Sequence, residues 1–428
     1  MMRIHIQHGR LIDPANQIDG QHDLYIANGQ IVAIDQAPDG FQADQVIDAS
    51  HQIVIPGLID LNARLREPGQ EHKATIASET RAAAAGGITT LCVQPDTDPI
   101  IDTPAVSELI HHRSQQAGFA RVVTLGALTQ QLQGEQLSEM EELVREGGCV
   151  AVSNGLRPIT NTLIYRRALE YAANFDLTVF IYADEPSLSN LGCAHEGVVS
   201  TRLGLPGIPE SAETVAVARD LMLIEQTGVR AHFMHLSCSQ SIQKIARAQY
   251  ENLPITVEVA AHQLYLTELD IGDFNSACHV IPPLRTRRDL EGLRSGLQHN
   301  TVSAISSCHQ PHDADAKLAP FCETEPGVSA LETLLPLTLR LVDENVLSLS
   351  DAIAKITAHP ATILGIEGGR LSIGDRADVC IFNPETRWTV DYNSLVSAGK
   401  NTPFLGWEMK GRVSHTLLAG DMVYQVNQ

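Results

Sequence analysis

Residues 1 to 55 alternate between short apolar runs and turn residues. Breaks fall at His8-Gly9-Arg10, Ala27-Asn28-Gly29 and Pro38-Asp39-Gly40, a spacing that predicts short strands joined by tight turns. Asn28-Gly29 lies between apolar stretches at 23–26 and 30–34. It predicts a two-residue hairpin, because both residues tolerate the positive φ of a type I′ turn.

From residue 56 the pattern changes. Apolar runs of strand length, at 53–61, 88–94, 121–125, 149–152, 178–182, 230–235, 255–260 and 302–306, alternate with amphipathic stretches. That alternation favours a parallel α/β architecture. A helix over 74–85 is predicted to stop at Gly86-Gly87, a good C-terminal signal. Eight such strands over roughly 300 residues fit a (β/α)₈ TIM barrel better than an open sheet. From about residue 366 short strands return, around 377–382 and 414–420. The predicted organisation is a barrel over 56–365 beside one β module built from 1–55 and 366–428.

Composition narrows the function classes. The chain has 428 residues and a formal net charge of −21, which argues against nucleic-acid and anionic-membrane partners. No apolar run reaches the ~18 residues of a spanning helix, and the start lacks the apolar core of a signal peptide. Eight cysteines are scattered without a C-x-x-C pair, which reads as reduced thiols and a cytoplasmic location.

The stretch 56–69, P-G-L-I-D-L-N-A-R-L-R-E-P-G, is an apolar strand that runs into a charged tip. It resembles the first barrel strand of the dihydroorotases and related cyclic amidohydrolases, whose pattern is P-G-x-I-D-x-H-x-H-x-R-E-P-G. Further motifs extend the resemblance over nearly the whole chain: His195-Glu196-Gly197 with 203–209, Pro282-Pro283-Leu284-Arg285, and 399–407. The resemblance implies the same barrel and composite module.

It also implies a metal-dependent hydrolase, and here the residues depart from the pattern. Such a hydrolase needs neutral imidazoles and anionic carboxylates to hold zinc, which brings the pKa of bound water to about 7. Asn62 and Arg64 stand in place of the two histidines of the first strand. An amide oxygen is a weak ligand, and a guanidinium cannot ligate and repels a divalent cation. The fourth strand ends at Ser153-Asn154-Gly155, so Asn154 or Ser153 replaces an aspartate pair or a modified lysine. Tyr182 replaces a ligand histidine on the fifth strand, whereas His235 on the sixth keeps the pattern H-x-x-H-x-S. On the eighth, Cys308 replaces an aspartate, and a thiol cannot copy a carboxylate base of pKa near 4. Only His235 survives among the six expected positions, so neither a metal nor another cofactor is expected. His235 then reads as a satisfied barrel histidine. The alternative is a site rebuilt from His235, Cys308, His309 and His312, against which neighbouring strand residues point to opposite faces.

Relatives hold the carboxylate of dihydroorotate with the arginine of L-R-E-P-G, the asparagine of P-N-T and the histidine of A-P-H. Arg66 and His312 match, but Asp96 replaces the first asparagine, and Ile281 replaces that of N-P-P-L-R. A carboxylate facing a carboxylate is repulsive. No substrate binding is expected, and Asp96 is expected to pair with Arg64 or Arg66. Glu258 and His262 read as polar fillers of the barrel, or as remnants of an active-site wall.

As a whole the chain resembles the non-catalytic dihydroorotase-like chains that accompany aspartate carbamoyltransferase in some bacteria. This implies a pseudoenzyme of pyrimidine biosynthesis that supports assembly and activity of the transferase catalytic chain. Two other readings stay open: a cyclic amidohydrolase with altered or no metal, and a small-anion sensor using Arg66 and His312.

Overall fold

A computed structural model describes residues 2–426. Eight parallel strands form one sheet in chain order: Leu58–Ala63, Ile88–Val93, Arg121–Ala127, Ala151–Ser153, Val179–Tyr182, Ala231–Met234, Ile255–Ala260 and Ala304–Ser306. The sheet closes into a barrel just beyond its eighth strand. Ala63 pairs in parallel with His309, Arg64 N donates to His309 O at 2.9 Å, and His309 N donates to Asn62 O at 3.2 Å. Closure therefore brings Asn62, Arg64 and Cys308 to one corner of the barrel mouth. Inside, Ile59, Leu61, Leu125, Phe180 and Met234 from four strands share a buried cluster, which the helix Ala358–Leu364 joins.

The apolar run predicted as one strand over 53–61 is two strands. Ile53–Pro56 belongs to the module and Leu58–Ala63 to the barrel. Gly57 is the pivot: its N–H donates to Asp378 O at 2.8 Å, and a Cβ there would collide with the Thr89 side chain. The helix Ile76–Ala85 opens with a capping box between Thr75 and Ser78, which satisfies two otherwise free backbone donors. At its end Gly87 has φ +81°, and a Cβ would lie 2.5 Å from Cys380 Sγ. Gly86-Gly87 thus stops the helix and lets it seat against the module.

The module interleaves both chain ends. Val379–Thr389 pairs antiparallel with Ile53–Pro56, which pairs parallel with Arg10–Asp13. A second sheet contains the predicted hairpin, with Ala27 opposite Gln30 and positive φ at Asn28 and Gly29. Ile4, Ile26, Val54, Val379 and Leu417 share its core. Buried Asp13 accepts from Ala15 N, Asn16 N and Leu371 N, which ties the N-terminal strands to the C-terminal segment.

One expectation is corrected. Cys193 and Cys322, read as reduced thiols, are joined in a disulfide with their Cα atoms 5.4 Å apart, a separation that a disulfide spans. Six cysteines remain free, all buried. Alkylation of the denatured, unreduced chain should label six cysteines, and prior reduction should raise this to eight. Eight labels without reduction would contradict the bridge. Among the described residues no helix is long and apolar enough to cross a membrane.

Candidate functional site at the barrel mouth

Asn62 is fully buried at the end of the first barrel strand. Its Nδ2 lies 2.5 Å from His235 Nε2 and 3.2 Å from Glu258 Oε1. An amide nitrogen can only donate, so His235 Nε2 accepts and the ring proton sits on Nδ1. That N–H faces Cys308 Sγ at 2.7 Å, with Glu258 Oε1 at 3.8 Å. Burial pushes the His235 pKa down to about 4, although the Glu258 charge resists it. Burial also pushes the Cys308 thiol well above its ordinary value. At neutral pH both partners are uncharged, so this is not the thiolate–imidazolium pair of a cysteine nucleophile.

Arg64 is 6% exposed, and its Nε donates to Asp96 Oδ2 at 2.8 Å. The expected ion pair with Asp96 thus forms through Arg64, not Arg66. Arg64 Nη1 and Nη2 have no hydrogen-bond partner among the described residues. A buried guanidinium cannot shed its proton. The corner that the resemblance assigns to a metal therefore carries a fixed positive charge of the chain's own.

Arg66 and His312 contact each other. Arg66 Nε donates to Pro311 O at 2.9 Å, and Nη2 lies 3.0 Å from His312 Nε2. Burial and the charge of Arg64 pull the Arg66 pKa to about 10, so it stays charged. Burial and Arg66 push His312 down to about 3, so its ring is neutral. His312 N donates to Asn401 Oδ1, and Asn401 Nδ2 donates to Gln310 O and Gly327 O. Arg66 Nη1 and His312 Nδ1 have no hydrogen-bond partner among the described residues.

The remaining positions turn elsewhere. Asn154 is held by Thr129, Leu132 O and Arg157 O, and Ser153 Oγ accepts from Gly155 N. Burial raises the Tyr182 pKa well above its ordinary value, so it is a neutral phenol. His309, one member of the alternative rebuilt site, faces away from Cys308 and contacts Glu79 at 2.9 Å. The structure joins His235 to Cys308 but brings neither His309 nor His312 to them. Among the described residues no group of three or more His, Cys, Asp or Glu is placed to hold an ion. An amide, a guanidinium, a phenol, a thiol and one imidazole do not fit a divalent cation, which needs about three anionic or imidazole ligands.

Sequence reading left several buried polar residues without a role. Glu258, 0% exposed, faces Asn62 and His235, and His262 is 4% exposed. Arg285 of the P-P-L-R motif donates to Ser237 Oγ, Ile208 O and His195 Nδ1, at 3.1, 2.8 and 3.2 Å. Burial and Arg285 hold His195 down to about 4, which keeps Nδ1 free to accept. The motifs around His195, Ile208 and Arg285 are therefore one structural clasp. Glu79 carried no motif signal and Asp60 only its place in the P-G-x-I-D pattern, yet both are fully buried and accept several hydrogen bonds.

A family model described as dihydro-orotase-like matches residues 51–241, and one described as amidohydrolase family matches 323–424. The "Dihydroorotase-like protein" of Pseudomonas aeruginosa is 49% identical over 424 residues, covering 99% of this chain and all of that protein. The chain belongs to the dihydroorotase-like family. Another relative, the "Dihydroorotase" of Syntrophotalea carbinolica, is 43% identical over 426 residues, with both chains covered in full. The L-hydantoinase of Arthrobacter aurescens superposes with a TM-score of 0.88 at 21% identity, covering 99% of this chain and 96% of that one. It shares the amidohydrolase barrel with its added β module.

Proposed function

We propose that this dihydroorotase-like chain is not a hydrolase and serves as a subunit that supports aspartate carbamoyltransferase in pyrimidine biosynthesis. The observation that carries the first half is Arg64. It puts a permanent cation, paired with Asp96, where hydrolysis needs a Lewis acid and its water. Asn62, His235, Glu258 and Cys308 are tied to one another beside it. The second half rests on the resemblance to chains that accompany the transferase. A role carried by surfaces asks only for an intact fold.

The relatives named "Dihydroorotase" at 40–43% identity favour a second reading, hydrolysis of a cyclic amide. A small-anion sensor built on Arg66 and His312 would have to use Arg66 Nη1, since Nε and Nη2 are engaged by Pro311 O and His312.

Co-expression with the transferase catalytic chain of the same genome tests the partnership. One large species should elute, with carbamoyl-aspartate formation above that of the transferase alone. A stable contact of this kind buries at least ~1,200 Å². His235→Ala and Cys308→Ala should leave this support nearly intact. Separate elution with unchanged transferase activity would contradict the proposal.

A further inference from the structure

A cavity of about 190 Å³ opens between the end of the fifth barrel strand and the 281–285 segment that follows the seventh, on the face where barrel enzymes bind ligands. Part of its wall is apolar, formed by Leu156, Ile208, Ile281 and Pro282 among others. Polar side chains also line it, Tyr182, Asp184, Ser189, Glu213 and Arg285, and three of them matter here: Tyr182, Asp184 and Arg285. Each has a free valence. Asp184 Oδ2 accepts from Ser189 Oγ at 3.0 Å, while Oδ1 has no hydrogen-bond partner among the described residues. Arg285, 3% exposed, is fixed through Nε and Nη1, leaving Nη2 without a partner among the described residues. The Tyr182 hydroxyl likewise meets no protein partner among those residues.

Asp184 and Arg285 are not paired with each other, although each lies within the other's field. Asp184 is half-buried, and Arg285 reaches the Glu213 carboxylate only through Ser237 Oγ, so an acceptor of Asp184 and a donor of Arg285 stay open to one cavity and suit an occupant carrying both charges. We propose that this cavity binds a small zwitterion of the α-amino-acid class with an apolar side chain. The ammonium sits on Asp184, the carboxylate on Arg285 with the Tyr182 hydroxyl donating to it, and the side chain on the wall of Ile281 and Pro282. Glu213 also lines the cavity, but its oxygens are taken by Ser237 N, Ser237 Oγ and Cys238 N. Its charge leaves the cavity net negative, so an anion without an ammonium is disfavoured there. The pocket is distinct in chemistry from the Arg66–His312 pair and does not depend on whether the chain is a hydrolase.

The test is calorimetric titration of the full chain with L-leucine, 3-methylbutylamine and 4-methylpentanoate as probes. Leucine should bind, and the amine and the acid should each bind at least about tenfold more weakly, since each lacks one charge contact. Asp184→Asn should weaken leucine by about tenfold or more, and Tyr182→Phe by a few-fold, both with the unliganded melting temperature nearly unchanged. Should Asp184→Asn fail to fold, Tyr182→Phe and the probe series still decide. No heat with leucine at about 50 mM overturns the proposal, because such binding would be weaker than a single ionic contact provides. It is equally overturned if the amine or the acid alone matches leucine, or if Asp184→Asn binds as well as the parent.

Discussion

Replacing Glu79 with alanine is expected to destabilise the fold by about 3–5 kcal/mol. Glu79 lies on the first barrel helix with its side chain fully buried. Its Oε2 lies 2.9 Å from His309 Nε2 and accepts from Ser397 Oγ at 2.6 Å. Oε1 accepts from Ala398 N at 3.0 Å and Ser78 Oγ at 2.7 Å. One carboxylate therefore joins the helix, the barrel closure and the C-terminal segment. Burial pushes its pKa up, but the bond and charge of His309 and the two serine hydroxyls outweigh that and hold it below the ordinary range. Truncation strands His309 Nε2, Ser397 Oγ and Ala398 N in a water-free place, whereas Ser78 Oγ keeps Thr75 O. Glu79→Gln keeps the shape and one acceptor, and should cost less. Urea midpoints of the three proteins provide the comparison. A loss under about 1 kcal/mol for alanine, the scale of one ordinary hydrogen bond, would show that the hub is not load-carrying.

Acid should weaken the fold well before ordinary carboxylates protonate. Burial is the first cause that lowers five histidines: His195, His235 and His279 to about 4, and His262 and His312 to about 3. Unfolded, each returns to about 6.5. Because the folded values are depressed, the unfolded chain binds more protons between about 4 and 6.5. Stability is then complete above pH 6.5 and is lost as the pH falls through that window. Asp60 and Asp220 oppose this, since burial raises both to about 6 and the folded chain gains protons there. The five histidines outnumber them. Between pH 7 and 5 the net loss should be on the order of 5 kcal/mol. His262→Gln should flatten part of the slope. A melting temperature constant from pH 7 to 5 would contradict the buried neutral rings.

The barrel and its module were legible in the sequence because period-2 and helical patterns, glycine stops and the Asn28-Gly29 turn all agree with the fold. The split at Gly57 was not legible. The run 53–61 is apolar throughout, and only the close approach of Thr89 and Asp378 shows that it serves two sheets. At the site, the departures from the family pattern at Asn62, Arg64 and Cys308 were readable in the sequence, but not how that corner is satisfied. The choice of Arg64 over Arg66 for Asp96 depends on the barrel closure, which pairs Arg64 with His309 and turns Arg66 toward Pro311. The Cys193–Cys322 bridge spans 129 residues of sequence and carries no spacing signal. Nor does Glu79, whose partners lie on the eighth strand and near residue 398.

The most direct measurement is turnover of dihydroorotate by the purified chain supplied with zinc, beside Asn62→His with Arg64→His. No turnover above the uncatalysed rate is expected from either protein. The double variant still lacks the fourth-strand ligand and a carboxylate at Cys308, and parts of a catalytic unit do not act additively. Zinc-dependent turnover by the parent chain would contradict the account, because Arg64 would then have to leave Asp96 and vacate the metal's corner.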